Sequence, residues 1–462
     1  MMTKNNNMLF YSIYKNSYLR SLIRAKVLQN RVIKIPGLKS FHLFDYQYLT
    51  LLSSDDKLRN NIFVSLTIVS IEDLLDYMGN YNTNKYPYIG IVNDLAIQCY
   101  ALTHFNIVVP EGIHRLHLLI DNLMDQYQLP SSLTELSFSS RNKERIVGPI
   151  SSECLEGILS NLPRNLKYLT IPSSLVMSKE SNKQFVLPDT LVDLNFISIF
   201  KNFNRFVVSP STTSSNRVYK GCGVVVDNIE GLLWLQDKRW ISKCILFDRP
   251  IPESVFTDKL IPSHIRVLDI HMYSKPFIWD KDCLPSGLEE LRIFASDINP
   301  NSLPCGLKKL KTRSFTRPLK AGDLPKQLEG LHIGNLNHDL NVEILPGTLK
   351  RLTIDSSSQL FIPFSLPIGL QILEMPNLVD SPFAKHSLPP SLTHLILPSF
   401  QGSFHAVGPL DNLKKLSLNV MNQSVSTILA NVTTIDLSFK SIDQDVNLND
   451  PCIQRFVKKI KN

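Results

Sequence analysis

The sequence LPSGLEELRI, residues 284–293, decides the fold because it returns along the chain at nearly constant intervals. The shared phrase is Leu-Pro-x-x-Leu-x-x-Leu-x-Ile, and places in each copy are counted from its first residue. It begins again as LPCGLKKLKT at Leu303, LPKQLEGLHI at Leu324, LPGTLKRLTI at Leu345, LPIGLQILEM at Leu366 and LPPSLTHLIL at Leu388. Earlier copies begin at Val109, Leu129, Leu162, Leu187 and Ile261. A period of about twenty residues is typical of a solenoid, in which each repeat forms one coil.

The phrase predicts one short strand in every coil. Proline at the second place fixes φ and donates no hydrogen bond, so it lies outside the sheet. The eighth place is leucine in every copy, and because side chains alternate along a strand, places 8 and 10 point inward while places 7 and 9 point outward. Two further apolar ladders extend the core, with Phe315, Leu336, Leu378 and Phe400 at place 13 and Leu319, Leu340, Phe361 and Phe404 at place 17. The fold class predicted is a mainly β repeat solenoid, a leucine-rich-repeat-like horseshoe with one parallel sheet.

Weaker copies and terminal segments complete the predicted organisation. Echoes of the phrase occur around Leu38, Phe63, Val92 and Ile241, and Gly221-Cys222-Gly223 suggests a bend. Because the ends of a stack leave apolar surface uncovered, we expect helical caps, the second N-terminal helix starting near Asn16 and the C-terminal helix at Pro451 after the N-cap Asp450. The predicted segments are a basic N-terminal helical cap at 1–33, degenerate repeats at 34–108, repeats at 109–197, an irregular insertion with a flexible loop at 198–236, repeats at 237–438 and a C-terminal cap helix at 439–462.

Charge and cysteine usage limit the function. The net charge of +8 resides in residues 1–44, which hold eight basic residues and no acid, while the remaining 41 basic and 41 acidic residues cancel. A basic groove for nucleic acid along the solenoid is therefore not expected. No apolar run is long enough to span a membrane, and seven scattered cysteines favour a reduced, cytoplasmic protein. The acid-free N-terminus leaves open a peripheral contact with acidic lipid or mitochondrial targeting.

One segment resembles a known repeat family. The phrase FTRPLKAGDLP, residues 315–325, runs into the copy at Leu324, and Phe315, Pro318 and Gly322 match the phenylalanine, proline and glycine of the FNIP repeat, a relative of leucine-rich repeats. The resemblance extends over about residues 109–437. It implies an interaction scaffold without enzymatic activity or cofactor, in some members fused to an F-box. The N-terminal helices lack the Leu-Pro start of an F-box.

The outward strand places are the candidate binding surface. Glu289, Lys308, Glu329 and Lys350 alternate in charge at place 6, which indicates structural pairing between neighbouring coils. Apolar residues framed by charges suggest an interface core and rim instead, at Arg351, Ile372, Glu374, His394, Ile396 and Lys415. His114 and His117 lie three apart, which would point them to opposite sides of a strand, so we expect no metal site there.

These patterns predict a non-enzymatic scaffold or adaptor, with signalling as one setting and unidentified proteins as partners. Two alternatives remain open. The chain could be the substrate receptor of a cullin-type ubiquitin ligase that residues 1–33 recruit, or an adaptor at a membrane surface.

Overall fold

The structure is a computed structural model. It describes residues 16–42, 44–81, 86, 89–99, 106–119, 126–140, 149–173, 183–208, 217–247, 254–271, 282–294, 298–357, 361–379 and 383–457. The chain divides into two compact units, Met1–Gly223 and Val224–Asn462. Each unit is a parallel β-solenoid, as the repeat predicted.

The first unit is built from short strands that pair in parallel. The strands within its described residues are β1 (Val32–Ile35), β2 (Phe63–Ile68), β3 (Asp94–Ile97), β4 (Asn106–Val108), β5 (Arg115–Leu119), β6 (Gln126–Gln128), β7 (Glu135–Ser139), β8 (Tyr168–Ile171), β9 (Phe185–Leu187), β10 (Asp193–Ile199) and β11 (Phe206–Val208). The sheet follows the order β1-β2-β3-β5-β7-β8-β10, and β4–β6 and β9–β11 form separate pairs.

Helices connect several strands of this unit. The α-helices are α1 (Ser17–Val27), α2 (Ser54–Arg59), α3 (Ile71–Asn80), α4 (Pro149–Ser160) and α5 (Phe200–Phe203). Three 3-10 helices lie at Leu38–His42, Phe44–Leu51 and Ile89–Ile91. The echo around Leu38 is therefore not a strand. Its apolar spacing belongs to a 3-10 helix, and the strand lies before it at β1.

The second unit repeats one coil with greater regularity. The strand β12 (Tyr219–Val226) contains the boundary between the units, and the later strands are β13 (Ile241–Phe247), β14 (Val267–His271), β15 (Glu290–Ile293), β16 (Lys309–Thr312), β17 (Gly330–Leu336), β18 (Arg351–Ser357), β19 (Ile372–Glu374), β20 (His394–Leu397), β21 (Lys415–Leu418), β22 (Val420–Met421), β23 (Asp436–Ser438) and β24 (Ser441–Ile442). Its helices are α6 (Ile229–Leu235), α7 (Ser254–Thr257), a 3-10 helix at Pro300–Ser302, α8 (Val425–Ile428) and α9 (Pro451–Val457). None of the helices within the described ranges combines the length and apolar character needed to cross a bilayer.

The strand register of the second unit confirms the predicted alternation. Strands β13 to β21 pair in sequence order, each with the next, and β21 pairs with β23. The place-8 leucines from Leu268 to Leu416 form one ladder and are at most 2% exposed. The ladders at places 13 and 17 are also buried. Side chains at places 7 and 9 lie on the opposite, outward face of the sheet.

The Leu-Pro corner has a consistent backbone geometry. The carbonyl of the place-2 proline accepts a hydrogen bond from the amide of place 5, as from Leu288 to Pro285 at 3.1 Å. Two residues before the phrase, the backbone is left-handed, with φ between 53° and 87°, at Lys259, Asp282, Gly322, Glu343, Phe364 and His386. Only Gly322 adopts this conformation without steric cost, because it has no Cβ. The glycine of the FNIP phrase therefore has a structural reason.

Both predicted helical ends are present within the described residues. The side chain of Asn16 caps α1 by accepting the amide of Leu19 at 3.1 Å, and that of Asp450 accepts the amide of Cys452 at 2.8 Å at the start of α9. The earlier N-terminal helix and the loop at 209–216 lie outside the described residues. Along α1, the apolar side chains do not all face inward: Leu22, Ile23 and Val27 are 49–63% exposed.

The interpretation of Gly221-Cys222-Gly223 as a bend was wrong, because these residues lie in β12. A Cβ on Gly221 would stand 2.9 Å from the Cα of Asn195 in β10. The amide of Gly221 also donates to the carboxylate of Asp193 at 3.1 Å. This glycine allows close approach of two strands rather than a change of direction.

Candidate functional site

The six residues predicted from sequence lie together on the outward face of four consecutive strands, β18 to β21. Arg351, Ile372, His394 and Lys415 form one continuous row across these strands. Glu374 and Ile396 are neighbours in the next row, between Thr353 and Ser417. All six side chains are at least partly accessible. The structure therefore brings this set together, and its role in binding stays a prediction.

The alternating charges at place 6 form the expected pairs between neighbouring coils. Lys308 Nζ lies 2.9 Å from Glu289 Oε2, and Lys350 Nζ lies 3.3 Å from Glu329 Oε2. All four side chains are 44–55% exposed. Each pair is thus worth about 1 kcal/mol or less, since water screens both charges. The predicted pairing between neighbouring coils is confirmed for these two pairs, and a purely structural role for them stays a prediction.

A second charged group, which sequence reasoning missed, crosses β13 to β16. Lys243 Nζ lies 2.8 Å from Asp269 Oδ2, and Arg292 bridges Asp269 at 3.5 Å and Glu290 at 3.4 Å. Lys309 Nζ then lies 2.6 Å from Glu290 Oε1. Asp269 is buried, and its Oδ1 has no hydrogen-bond partner, so cations alone compensate this carboxylate. The Lys243–Asp269 pair is largely buried, whereas Arg292 and Lys309 are 41% and 64% exposed, so water screens the outer part of the network.

An aromatic ladder runs beside this network along the ends of β13 to β15. The rings of Phe247 and His271 stack with centroids 4.9 Å apart, and those of His271 and Phe294 with centroids 4.2 Å apart. Both angles between ring planes are 16°. Lys311 Nζ lies 5.4 Å above the ring of Phe294. Phe247 and Phe294 remain 40% and 38% exposed, so the ladder is an accessible apolar surface framed by cations.

The environment of His271 favours its neutral form. Burial lowers its pKa below the ordinary value, and Lys243 acts in the same direction, while Asp269 opposes the shift. A neutral imidazole between two phenyl rings acts as a third aromatic ring near pH 7. The ladder is therefore predominantly apolar, and the surrounding lysine and arginine side chains supply the charge.

A polar cluster occupies the outward face of the first unit. Asp94 is buried, and its Oδ2 lies 3.9 Å from Nη1 of Arg115. Nε of Arg115 lies 3.0 Å from Oε2 of Glu135. His117 Nδ1 is hydrogen-bonded to Ser137 Oγ, and its Nε2 lies 3.8 Å from Asp94 Oδ1. Asp94, His117 and Ser137 are also the residue types of a hydrolytic triad.

The geometry of this cluster does not match a catalytic triad. In a triad the imidazole Nδ1 faces the carboxylate and Nε2 faces the hydroxyl, whereas His117 has the opposite arrangement. Ser137 also lies within β7, between the paired strands β5 and β8. The backbone amides of the described strand β7 belong to the parallel ladder with β5 and β8, so they are not available as a pair of donors to an oxyanion. The cluster is best described as a polar surface network.

The two histidines considered for metal binding, His114 and His117, differ in their exposure to solvent. His114 is 7% exposed, and its Nδ1 lies 2.8 Å from the carbonyl of Ser132. His117 is on the outward face of β5. Across the described part of the chain, no group of three or more His, Cys, Asp or Glu side chains is placed to hold a metal ion.

An apolar groove lies along the Leu-Pro corners, away from the strand face. Its volume is about 630 Å³, and its lining includes Val342, Pro346, Phe364, Ile368 and His386. Phe364 stacks on His386 with ring centroids 5.4 Å apart, and both residues have left-handed backbones. Ile368 is 82% exposed. The groove is accessible, but the residues lining it carry few charges that would indicate a particular ligand.

The segment around Phe315 explains the phrase that suggested the family. Phe315 is buried and bridges to Ile298, while Arg317 binds both oxygens of Asp323 at 2.6 and 2.9 Å. Gly322 provides the left-handed corner before Leu324. A family model described as FNIP Repeat matches residues 294–336.

Residues 294–336 are thus similar to the FNIP repeat. This confirms the resemblance inferred from Phe315, Pro318 and Gly322. The FNIP match begins at Phe294, the last ring of the aromatic ladder, and includes Lys311 beside it.

Two solved structures are similar to the chain at low identity. One is described as CroV588, a novel circular LRR protein, with 17% identity and a TM-score of 0.38 over 83% of this chain and 62% of that one. This chain thus spans 62% of the length of that protein. The other is an internalin, InlF, from Listeria monocytogenes, with 15% identity and a TM-score of 0.34 over 66% and 83% of the two chains. No curated protein matches the sequence significantly.

Proposed function

We propose that this chain is an intracellular protein-interaction scaffold whose outward strand face binds partner proteins. The observation that carries the proposal is the contrast between the two faces of one sheet. Leucine occupies the inward place 8 from β14 to β21. At the outward place 7 the same strands carry, in order, Val, Glu, Lys, Gly, Arg, Ile, His and Lys. Packing accounts for the uniform face, and a surface with varied chemistry is suited to specific recognition.

The arrangement favours binding over chemistry. A sheet face of accessible side chains offers a long contact area, whereas catalysis needs groups held around one reacting atom. The FNIP match and the solenoid fold are consistent with protein binding. We propose a signalling assembly as one setting for this scaffold.

The test is affinity purification from cells with mass spectrometry, using matched substitutions of isoleucine by glutamate. Ile372→Glu and Ile396→Glu alter the strand face, and Ile368→Glu alters the corner face, where the side chain is already exposed. We expect specific partners to be lost with the first two variants and retained with the third. Retention of every partner by the folded strand-face variants would contradict the proposal.

The exposed face of α1 favours a second role for residues 1–33. Leu22, Ile23 and Val27 are exposed, and Arg24 and Lys26 lie in the last turn of this helix. An apolar helical face with basic neighbours is suited to a recruiting subunit, such as one of a cullin-type ligase, or to acidic lipid. Deletion of residues 1–33 separates these alternatives. Loss of ligase subunits supports the first, loss from membrane fractions supports the second, and no change contradicts both.

A further inference from the structure

We infer that the aromatic ladder and the cations around it, on β13 to β16, form a docking surface for an acidic segment of a partner protein. The inference rests on the proposed scaffold function and names the surface and the partner chemistry. The surface is defined by Phe247, His271 and Phe294 together with Arg292, Lys309, Lys311 and Arg313.

Charge complementarity gives the first argument. The outward side chains of β13 to β16, with Arg313 directly after β16, include the five cations Lys243, Arg292, Lys309, Lys311 and Arg313 but only the two acids Asp269 and Glu290. Beyond residue 44 the chain as a whole is balanced in charge. This face is therefore a local positive region, which attracts a partner with carboxylates.

The internal pairing of the charges gives the second argument. Both acids are occupied, Asp269 by Lys243 and Arg292, and Glu290 by Arg292 and Lys309. Lys311 lies over the ring of Phe294, and Arg313 is exposed. These two cations are placed beside the apolar ladder, where a carboxylate of a bound segment would reach them. A contact that combines an apolar centre with a charged rim is typical of a binding surface.

The orientation of the rings distinguishes an acidic peptide from nucleic acid. The three rings stack from strand to strand, at 4.9 and 4.2 Å, so both faces of His271 and one face each of Phe247 and Phe294 are covered. Lys311 Nζ also lies over the ring of Phe294. A nucleobase needs an exposed ring face on which to stack. Ring edges carry the positive part of the aromatic quadrupole, and they favour carbonyl and carboxylate oxygens or apolar side chains. A peptide supplies all of these groups.

The pKa of His271 is consistent with this assignment. Burial between the rings lowers that pKa, so the imidazole is mostly neutral near pH 7 and contributes apolar surface. The positive charge of the surface then depends on lysine and arginine, which keep their charge. Binding of an acidic segment should therefore persist at neutral and slightly alkaline pH.

The experiment selects displayed random peptides of about 12 residues on the full chain, and then measures a labelled, selected peptide by fluorescence anisotropy. We expect selected peptides to be acidic relative to the input library. Lys311→Ala should weaken binding about fivefold and Phe294→Ala about tenfold or more, since central anchors carry most of the energy. The matched control Lys326→Ala, an exposed lysine near a corner, should change the affinity less than twofold. Raising the salt from about 50 to 200 mM should weaken binding.

Each other result overturns the inference in a recognisable way. Phe294→Ala could lose affinity because it destabilises the protein. Lys311 contributes little to the core, so Lys311→Ala tests the surface without that complication. Selected peptides that are not acidic, or that ignore Lys311→Ala but are lost with Ile372→Glu, would contradict this surface and leave the scaffold function standing. Tighter binding of a labelled single-stranded uridine oligomer of about 20 nucleotides would replace the peptide with nucleic acid. If no peptide is selected and no partner is captured from cells, the inference and the proposed function both fail.

Discussion

Introducing aspartate at either of two adjacent positions on β17 tests the strand register. Leu331 is 2% exposed and belongs to the inward leucine ladder between Leu310 and Leu352. Gly330 precedes it and points outward between Lys309 and Arg351. Aspartate at position 331 would enter the core, whereas aspartate at position 330 would lie between two cations.

The two substitutions should change the free energy of unfolding by different amounts and in opposite directions. Leu331→Asp loses the burial of one leucine side chain, about 1.5–3 kcal/mol, and adds an unpaired polar group at about 1–3 kcal/mol. The expected loss is about 2.5–6 kcal/mol, against a total stability of about 5–15 kcal/mol for a typical domain. A Cβ at Gly330 would meet only the Cγ of Lys309 at 3.6 Å, so Gly330→Asp fits without strain. Its attraction to both cations should change stability by less than about 1 kcal/mol, in the favourable direction.

The assay is urea unfolding followed by circular dichroism, with hydrogen exchange to locate any opened coils. We expect Leu331→Asp to unfold at markedly lower urea and to expose the amides of β16 to β18, with Gly330→Asp close to the unaltered protein. Equal losses in the two variants, or a larger loss for Gly330→Asp, would refute the register. A one-residue shift exchanges the two faces, so these results cannot be reconciled with the inward leucine ladder.

Three further predictions follow from the corner and the buried side chains. The hydrogen bonds of Arg317 lower the pKa of Asp323, so this carboxylate stabilises the fold above its unfolded pKa of about 4 and stops doing so as the pH falls through its lower folded value. Asp323→Asn should cost roughly 1–2 kcal/mol at pH 7 in urea unfolding, and a loss that persists undiminished at strongly acidic pH would contradict this reasoning. Gly322→Ala should destabilise the protein by about 1 kcal/mol, because φ of Gly322 is +87°. Glu343→Gly at the equivalent corner should be neutral or stabilising. The opposite order of melting temperatures for these two variants would contradict the shared corner geometry. Cys305 is the exposed cysteine, so maleimide should label it first in the native protein, with the remaining thiols reacting only in denaturant; rapid native labelling of several cysteines would contradict their burial.

The repeated phrase was sufficient to predict the coil and its two faces. Place 8 is always leucine, and strand geometry converts this regularity into one inward ladder. The pairing of Glu289 with Lys308 was predictable for the same reason, because equal places in successive copies become neighbours. The regular spacing of the phrase thus predicts both the fold and the contacts between equal places of neighbouring coils.

The aromatic ladder was harder to predict because it lies one residue beyond the phrase. Phe247, His271 and Phe294 occupy place 11 of three successive coils, where the strand ends and the sequence no longer indicates direction. Comparing place 11 across the copies is the signal that would have found them. The prediction of a bend at Gly221 was wrong for a different reason. The close neighbour of Gly221 is Asn195 in β10, and no local sequence pattern indicates that these two strands approach each other there.

The most direct test of the account is hydroxyl-radical footprinting of the chain alone and with a partner captured in the purification. It compares side chains of the strand face, Phe294, Ile372 and Ile396, with Phe364 and Ile368 at the corners. We predict that the partner protects strand-face side chains and leaves the corner side chains as reactive as in the free protein. Protection confined to Phe364 and Ile368 would contradict the claim that the outward strand face is the recognition surface.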